Sequence, residues 1–202
     1  MKYIIMLALI VSVNLSCGSH EEKGRKDQVK PAKVTNELCF LLGVMADYFG
    51  FDKSDIKVLT SSESNNAITK AVIDKYCRNE RIISKTEYEG GRISNPELQN
   101  IIDTLFENKR IRSCVTESFS MEQKRLFIIG SYLREGDANS WVFCNGCWKK
   151  QLVETWLSEV GFAEGSPKIQ IVDGFPGKTI ISFKPTKMFR YEISHCKEVL
   201  KL

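Results

Sequence analysis

Glu37-Leu38-Cys39-Phe40-Leu41-Leu42-Gly43-Val44-Met45-Ala46-Asp47-Tyr48-Phe49 is the stretch on which the reading of the fold turns. Leu38, Leu41, Leu42, Met45 and Phe49 recur at spacings of three and four, which gathers them on one face of an α-helix, and Phe40 and Val44 broaden that face. A stripe so wide predicts a helix over 37–49 at the centre of the fold, ended by Gly50.

Outward from it the helical period continues. Ile68, Ala71, Val72 and Tyr76 follow Ser64 and Asn65, whose side chains suit the free amides of a first turn. Asn95-Pro96-Glu97 is a start signal, with a cap, a proline at the position where its missing N–H is harmless, and an acid facing the positive end of the dipole. Leu98, Ile101, Ile102, Leu105 and Phe106 then form a third stripe. Ser120-Met121-Glu122-Gln123 reads as a capping box before Leu126, Ile129 and Leu133, with a strand over 126–129 as the alternative. Trp148, Leu152, Val153, Trp156, Leu157 and Val160 give a fifth stripe, closed near Gly161, that sets Trp148 and Trp156 on the core side. After Pro167 the period becomes two: 168–172 and 179–183 flank Asp173-Gly174-Phe175-Pro176-Gly177 as a β-hairpin. Residues 188–202 fit helix or strand, and no internal repeat is visible. The fold class expected is α+β: a single, mainly helical domain over 34–202 with a small C-terminal hairpin.

The amino terminus carries an address. Met1-Lys2 precedes an apolar run over 3–13, shorter than the ~20 residues that span a bilayer, and so reads as an export signal. Asn14-Leu15-Ser16-Cys17-Gly18-Ser19 follows and resembles the lipobox of bacterial lipoproteins, with Asn14 and Leu15 departing from its usual residues. That resemblance implies a signal peptide over 1–16 and acyl chains on Cys17 that hold the chain to a bilayer at the cell envelope, facing periplasm or exterior. The alternative is secretion as a soluble product, because Ser16 and Gly18 also suit general signal peptidase. Residues 17–33 hold one valine among charges, glycine and proline, and read as a flexible tether.

Export bears on the cysteines. Cys39, Cys77, Cys114, Cys144, Cys147 and Cys196 are even in number and would form up to three disulfides in an oxidising compartment, with 15 possible pairings. Cys39, on the most apolar helix, equally suits a small core residue. Cys144-Asn145-Gly146-Cys147, after the apolar Trp141-Val142-Phe143 and before a helix, resembles the thioredoxin-like active site. On that resemblance Cys144 attacks and Cys147 resolves, although Pro176, the candidate for that family's later proline, sits in a turn. A zinc site from Cys144, Cys147, His195 and Cys196 lacks the second Cys-x-x-Cys that would mark it, so neither metal nor cofactor is expected.

His20 lies in the tether, which leaves His195 as the imidazole through which an envelope hydrolase would have to work. Gly177-Lys178-Thr179 is turn chemistry, since Val172 stands where a phosphate loop needs glycine. Asp and Glu show no diagnostic spacing, and Lys149 and Lys150 read as part of a solvated or mildly basic face. A net charge of +4 is too small to argue for nucleic acid. The function expected is therefore a non-enzymatic envelope protein that binds a host or envelope protein ligand, with no nucleic acid partner. Redox chemistry at Cys144 and Cys147 and hydrolysis through His195 are the alternatives.

Overall fold

The computed structural model describes residues 31–45, 56–57, 63–89, 92–107, 110–144, 147–174 and 177–200. In chain order the elements are α1 (Asn36–Val44), β1 (Ile56–Lys57), α2 (Glu63–Asn79), β2 (Glu87–Glu89), β3 (Arg92–Ser94), α3 (Pro96–Leu105), β4 (Phe106–Glu107) and β5 (Arg110–Ile111). They continue as α4 (Ser113–Glu117), α5 (Met121–Glu135), β6 (Gly136–Asp137), β7 (Ser140–Cys144), α6 (Lys149–Glu159), β8 (Lys168–Val172), β9 (Lys178–Ser182) and α7 (Lys187–Leu200).

Of the caps read from sequence, Asn95 and Ser120 form, whereas Ser64 and Asn65 lie inside α2, which already begins at Glu63; a cap not marked in sequence, Thr35, opens α1. The Thr35 hydroxyl accepts from the Leu38 amide at 3.2 Å, and the Asn95 side chain accepts from the Leu98 amide at 3.0 Å. Ser120 and Gln123 close a reciprocal capping box, which settles 121–135 as helix rather than strand. Residues 187–200, ambiguous in sequence, are helical.

The packing of α1 against α5 organises the rest. α1 contacts α5 more extensively than any other pair of elements contact each other. The two backbones touch because both helices carry glycine at the crossing. A Cβ on Gly43 would stand 2.3 Å from the Phe127 carbonyl oxygen and 2.9 Å from the Ser131 nitrogen. A Cβ on Gly130 would stand 2.5 Å from the Phe40 carbonyl oxygen and 3.1 Å from the Val44 nitrogen. Phe40 and Val44 hold the same offsets from Gly43 that Phe127 and Ser131 hold from Gly130, so the contact is reciprocal. Each helix therefore sees the other as it is itself seen, which is the mark of two related halves.

The sheets repeat that relation. β1, β3 and β2 form an antiparallel sheet in that order. β6, β7, β9 and β8 form a second, in which the order β7-β9-β8 matches β1-β3-β2 and adds β6 at one edge. A helix precedes each sheet, and a second helix lies between its first and second matched strands. The absence of a repeat read from sequence is thus corrected: the repeat lies in the order of elements. The C-terminal hairpin is likewise not isolated, because β9 pairs Trp141↔Ile181 and Phe143↔Thr179 with β7.

The buried face of that sheet continues the helix core. Trp141, Phe143 and Ile181 are fully covered, and Trp141 lies 4.9 Å from Phe183 by ring centroids. Phe127 of α5 meets Trp148 at 5.8 Å and Trp156 at 5.3 Å, which ties α6 to the crossing and bears out the core placement of both tryptophans.

The expected disulfides do not form among the described residues: Cys39, Cys77, Cys114, Cys147 and Cys196 are thiols. The reason is placement. Cys39 is enclosed in the crossing helix, the Cys77 sulfur accepts from Asn95 at 3.9 Å and from Thr86 at 4.0 Å, and Cys114 is exposed on α4. Cys17 and the proposed leader lie outside the described residues, and no helix among these is long and apolar enough to cross a membrane.

Because the added methyl would meet main chain on both sides, Gly43→Ala and Gly130→Ala should each destabilise the fold by about 3 kcal/mol, the upper end for overpacking. The midpoint of urea unfolding measures this, and the double variant should lose less than the two losses combined, since both act on one contact.

Candidate functional site: the ends of the crossing helices and the outward sheet face

Downstream of the crossing, α5 ends at Glu135, and Gly136 turns the chain directly into β6. A side chain at 136 would strike the Tyr132 ring, whose hydroxyl donates to the Ala138 carbonyl at 2.6 Å. Glycine is required there, and it fixes Glu135 as the last helical residue.

Lys149, the first residue of α6, reaches across to the same place. Its side chain is 0% exposed, and Nζ donates to the Gly43 carbonyl at 2.8 Å and to the Met45 carbonyl at the end of α1. The Glu135 carboxylate, 13% exposed, stands 3.5 Å from the same Nζ. The geometry has a simple electrostatic cause. The carbonyl end of α1 carries a partial negative charge, Glu135 adds a full one, and a buried ammonium answers both. Trp148 holds the lysine in place by packing on Phe106 at 5.1 Å. A second buried cation, Arg134, bonds the Thr69 hydroxyl at 2.5 Å and so links α5 to α2.

Strand alternation defines a separate surface. With Trp141, Phe143, Thr179 and Ile181 turned inward, the opposite face carries Ser140 and Val142 from β7, Lys178, Ile180 and Ser182 from β9, and Lys168, Gln170 and Val172 from β8. Registered pairing aligns Ser140, Ser182 and Lys168 in one row, and Val142, Ile180 and Gln170 in the next. Lysines, an amide, hydroxyls and small apolar groups thus share one solvent-facing ribbon. β8 is the edge, and its inward Ile169 and Ile171 remain 42% and 66% exposed.

The residues nominated from sequence do not converge. Cys144 ends β7, whereas Cys147 lies before α6 and lines a cleft of about 820 Å³ with Arg110, Lys124, Lys150 and Trp156. No side-chain cap opens α6, and Asn145, Gly146 and Pro176 lie outside the described residues. His195 is exposed on α7, stacked on Tyr191 at 6.0 Å, and with Cys196 it edges an apolar groove of about 290 Å³ far along the chain from Cys144 and Cys147. Among the described residues no three His, Cys, Asp or Glu side chains gather as a metal site. Glu135 went unmarked in the sequence and Lys149 was read only as surface charge. The signal that leads to both is Phe40-Leu41-Leu42-Gly43 repeated as Phe127-Ile128-Ile129-Gly130.

No family model matches the chain, and no curated protein matches it. Solved structures do. The homing endonuclease I-DmoI in complex with DNA and Ca superposes with a TM-score of 0.53 at 19% identity, covering 80% of this chain and 88% of that one. Mesophilic variants of the same endonuclease match at 0.52 and 18% identity, over 79% and 94% of the two chains. Its complex with DNA and Mn matches at 0.51 and 19% identity, over 79% and 94%. The architecture is that of this endonuclease.

This likeness corrects the functional expectations. A non-enzymatic, lipid-anchored envelope protein, confined to periplasm or exterior and without nucleic acid, is not what a fold shared with a DNA endonuclease indicates. His195, the imidazole of the hydrolase alternative, is exposed on α7 and stacked on Tyr191. Net charge averages over the chain, whereas Lys168 and Lys178 share one outward ribbon.

The matched endonuclease complexes contain Ca or Mn. The donors at the ends of α1 and α5 do not fit such an ion. Among the described residues the helix ends offer the mostly covered Glu135 carboxylate, and the ammonium of Lys149 fills the space between it and the α1 carbonyls.

Two measurements follow. Lys149→Ala leaves Glu135 beside the α1 carbonyl end without its ammonium and should lower stability by about 3–5 kcal/mol in urea, against about 1 kcal/mol or less for the half-covered neighbour Lys150→Ala. Burial pushes the Cys39 thiol from 9.0 up to about 12. Its folded value is raised, so its contribution is intact below about 9 and is lost as pH climbs towards about 12. Unfolding midpoints over that window should fall, and Cys39→Ala should flatten the fall.

Proposed function

We propose that the chain acts on double-stranded DNA as a nuclease-type protein, binding the duplex with the outward faces of its sheets and placing Glu135 near a backbone phosphate. The observation that carries this is the reciprocal Gly43/Gly130 crossing, which builds one molecule from two related helix-and-sheet halves. Duplex DNA is itself pseudo-symmetric, and a two-fold protein meets its two half-sites with equivalent surfaces.

The chemistry of the ribbon supports the reading. A strand pair fits the major groove, about 12 Å wide. Lys168 and Lys178 are suited to phosphates, Gln170 to an adenine edge, and Val142 and Ile180 to thymine methyls. Glu135 is the carboxylate among the described residues at the helix ends, and it is the group there able to accept a proton from a water aligned on a phosphorus. The likeness to I-DmoI, crystallised with DNA, supports the class of ligand.

The test is fluorescence anisotropy of labelled random duplexes over a salt series, with supercoiled plasmid as the cleavage substrate. Binding should weaken with salt, and Lys168→Glu with Lys178→Glu should reduce affinity about tenfold or more while leaving the unfolding midpoint near that of the parent. Glu135→Gln should keep binding and lose nicking. Duplex affinity that is undetectable at low salt, or unchanged in the double lysine variant, contradicts the proposal.

A further inference from the structure

The oxygens at the helix ends are those a hard divalent cation selects: two main-chain carbonyls, of Gly43 and Met45, and the Glu135 carboxylate. What stands among them is an ammonium. A lysine ammonium has three N–H donors and one positive charge, so it can answer both the helix end and the carboxylate. A calcium or manganese ion bound to the same oxygens at about 2.0–2.6 Å would overlap Nζ and bring two cations together.

We infer that Lys149 is a built-in cation that holds the place of a divalent metal ion at the ends of α1 and α5, so that this chain engages duplex DNA without one. The second half of the inference rests on the DNA reading proposed above, and the first half does not.

Three features, two at the entry of α6 and one at the end of α5, make the arrangement a built one. Lys149 is fully covered although lysine is rarely buried. Trp148, one residue before it, is wedged between Phe106 and Phe127 and fixes where its stem begins. Gly136 and Tyr132 fix where α5 stops, and hence where the Glu135 carboxylate meets Nζ. The ammonium can leave only by abandoning a mostly covered carboxylate and two carbonyls together.

The test is thermal unfolding of the protein alone during titration with CaCl2 and MnCl2, at ionic strength held constant with NaCl. The wild-type chain should show no saturable rise in Tm. Lys149→Met keeps the stem and removes the charge; it should melt lower than wild type and recover part of the loss, saturably, as either ion is added. The double variant Lys149→Met with Glu135→Gln should not recover. A saturable rise in wild type overturns the inference, as does a Lys149→Met protein that gains no more from the ions than wild type. Should Lys149→Met fail to fold, the wild-type titration decides alone. Wild-type affinity for a labelled duplex should be at least as high in EDTA as in millimolar MgCl2, and dependence on magnesium contradicts the second half. Absence of duplex binding in both buffers removes the DNA reading and leaves the Tm titration to judge Lys149.

Discussion

Two glycines, 43 and 130, allow the backbones of α1 and α5 to meet, and that approach sets the positions of the other elements. A methyl group on either would enter the facing main chain, which cannot yield without moving a helix. Close approach has a second effect. It brings the carbonyl end of one helix and the terminal carboxylate of the other near enough to share a single ammonium. The crossing therefore does more than fill space: it creates a concentration of negative charge that the fold must answer from elsewhere.

α6 gives that answer. Its first residue, Lys149, is committed to the crossing, while the aromatic residues around it, Trp148, Trp156, Phe106 and Phe127, carry the core outward to the second sheet. Helix ends, buried charge and sheet are consequently one mechanical unit. The outward ribbon of β7, β9 and β8 is rigid because its inner face, with Trp141, Phe143 and Ile181, is part of that unit.

Much of this was legible in sequence, and the division is physical. Capping is local chemistry, so Asn95 and Ser120 marked helix starts faithfully, and the isoleucine alternation over 168–172 and 179–183 marked the paired strands to within one residue. Partnering is not local. β7 reads as an apolar lead-in to Cys144 until β9 is known to lie beside it, and β1, of two residues, carries no periodicity at all. The cysteines misled because an even count suggests pairing, whereas each sits on a different element with its own neighbours. Lys149 looked like surface charge because its burial depends on α1, more than 100 residues earlier. The repeated Phe-x-x-Gly tetrapeptide at 40–43 and 127–130 held the key to the crossing, but four residues separated by a long interval stand out only when the two helices are seen in contact.

Lysine acetylation footprinting, read by mass spectrometry with and without duplex DNA, addresses the account most directly. In the free protein Lys149 should resist the reagent while Lys168, Lys178 and Lys197 react; with duplex present, Lys168 and Lys178 should become shielded and Lys197, on α7, should not. A reactive Lys149 in the native protein, or sheet lysines indifferent to DNA, would contradict it.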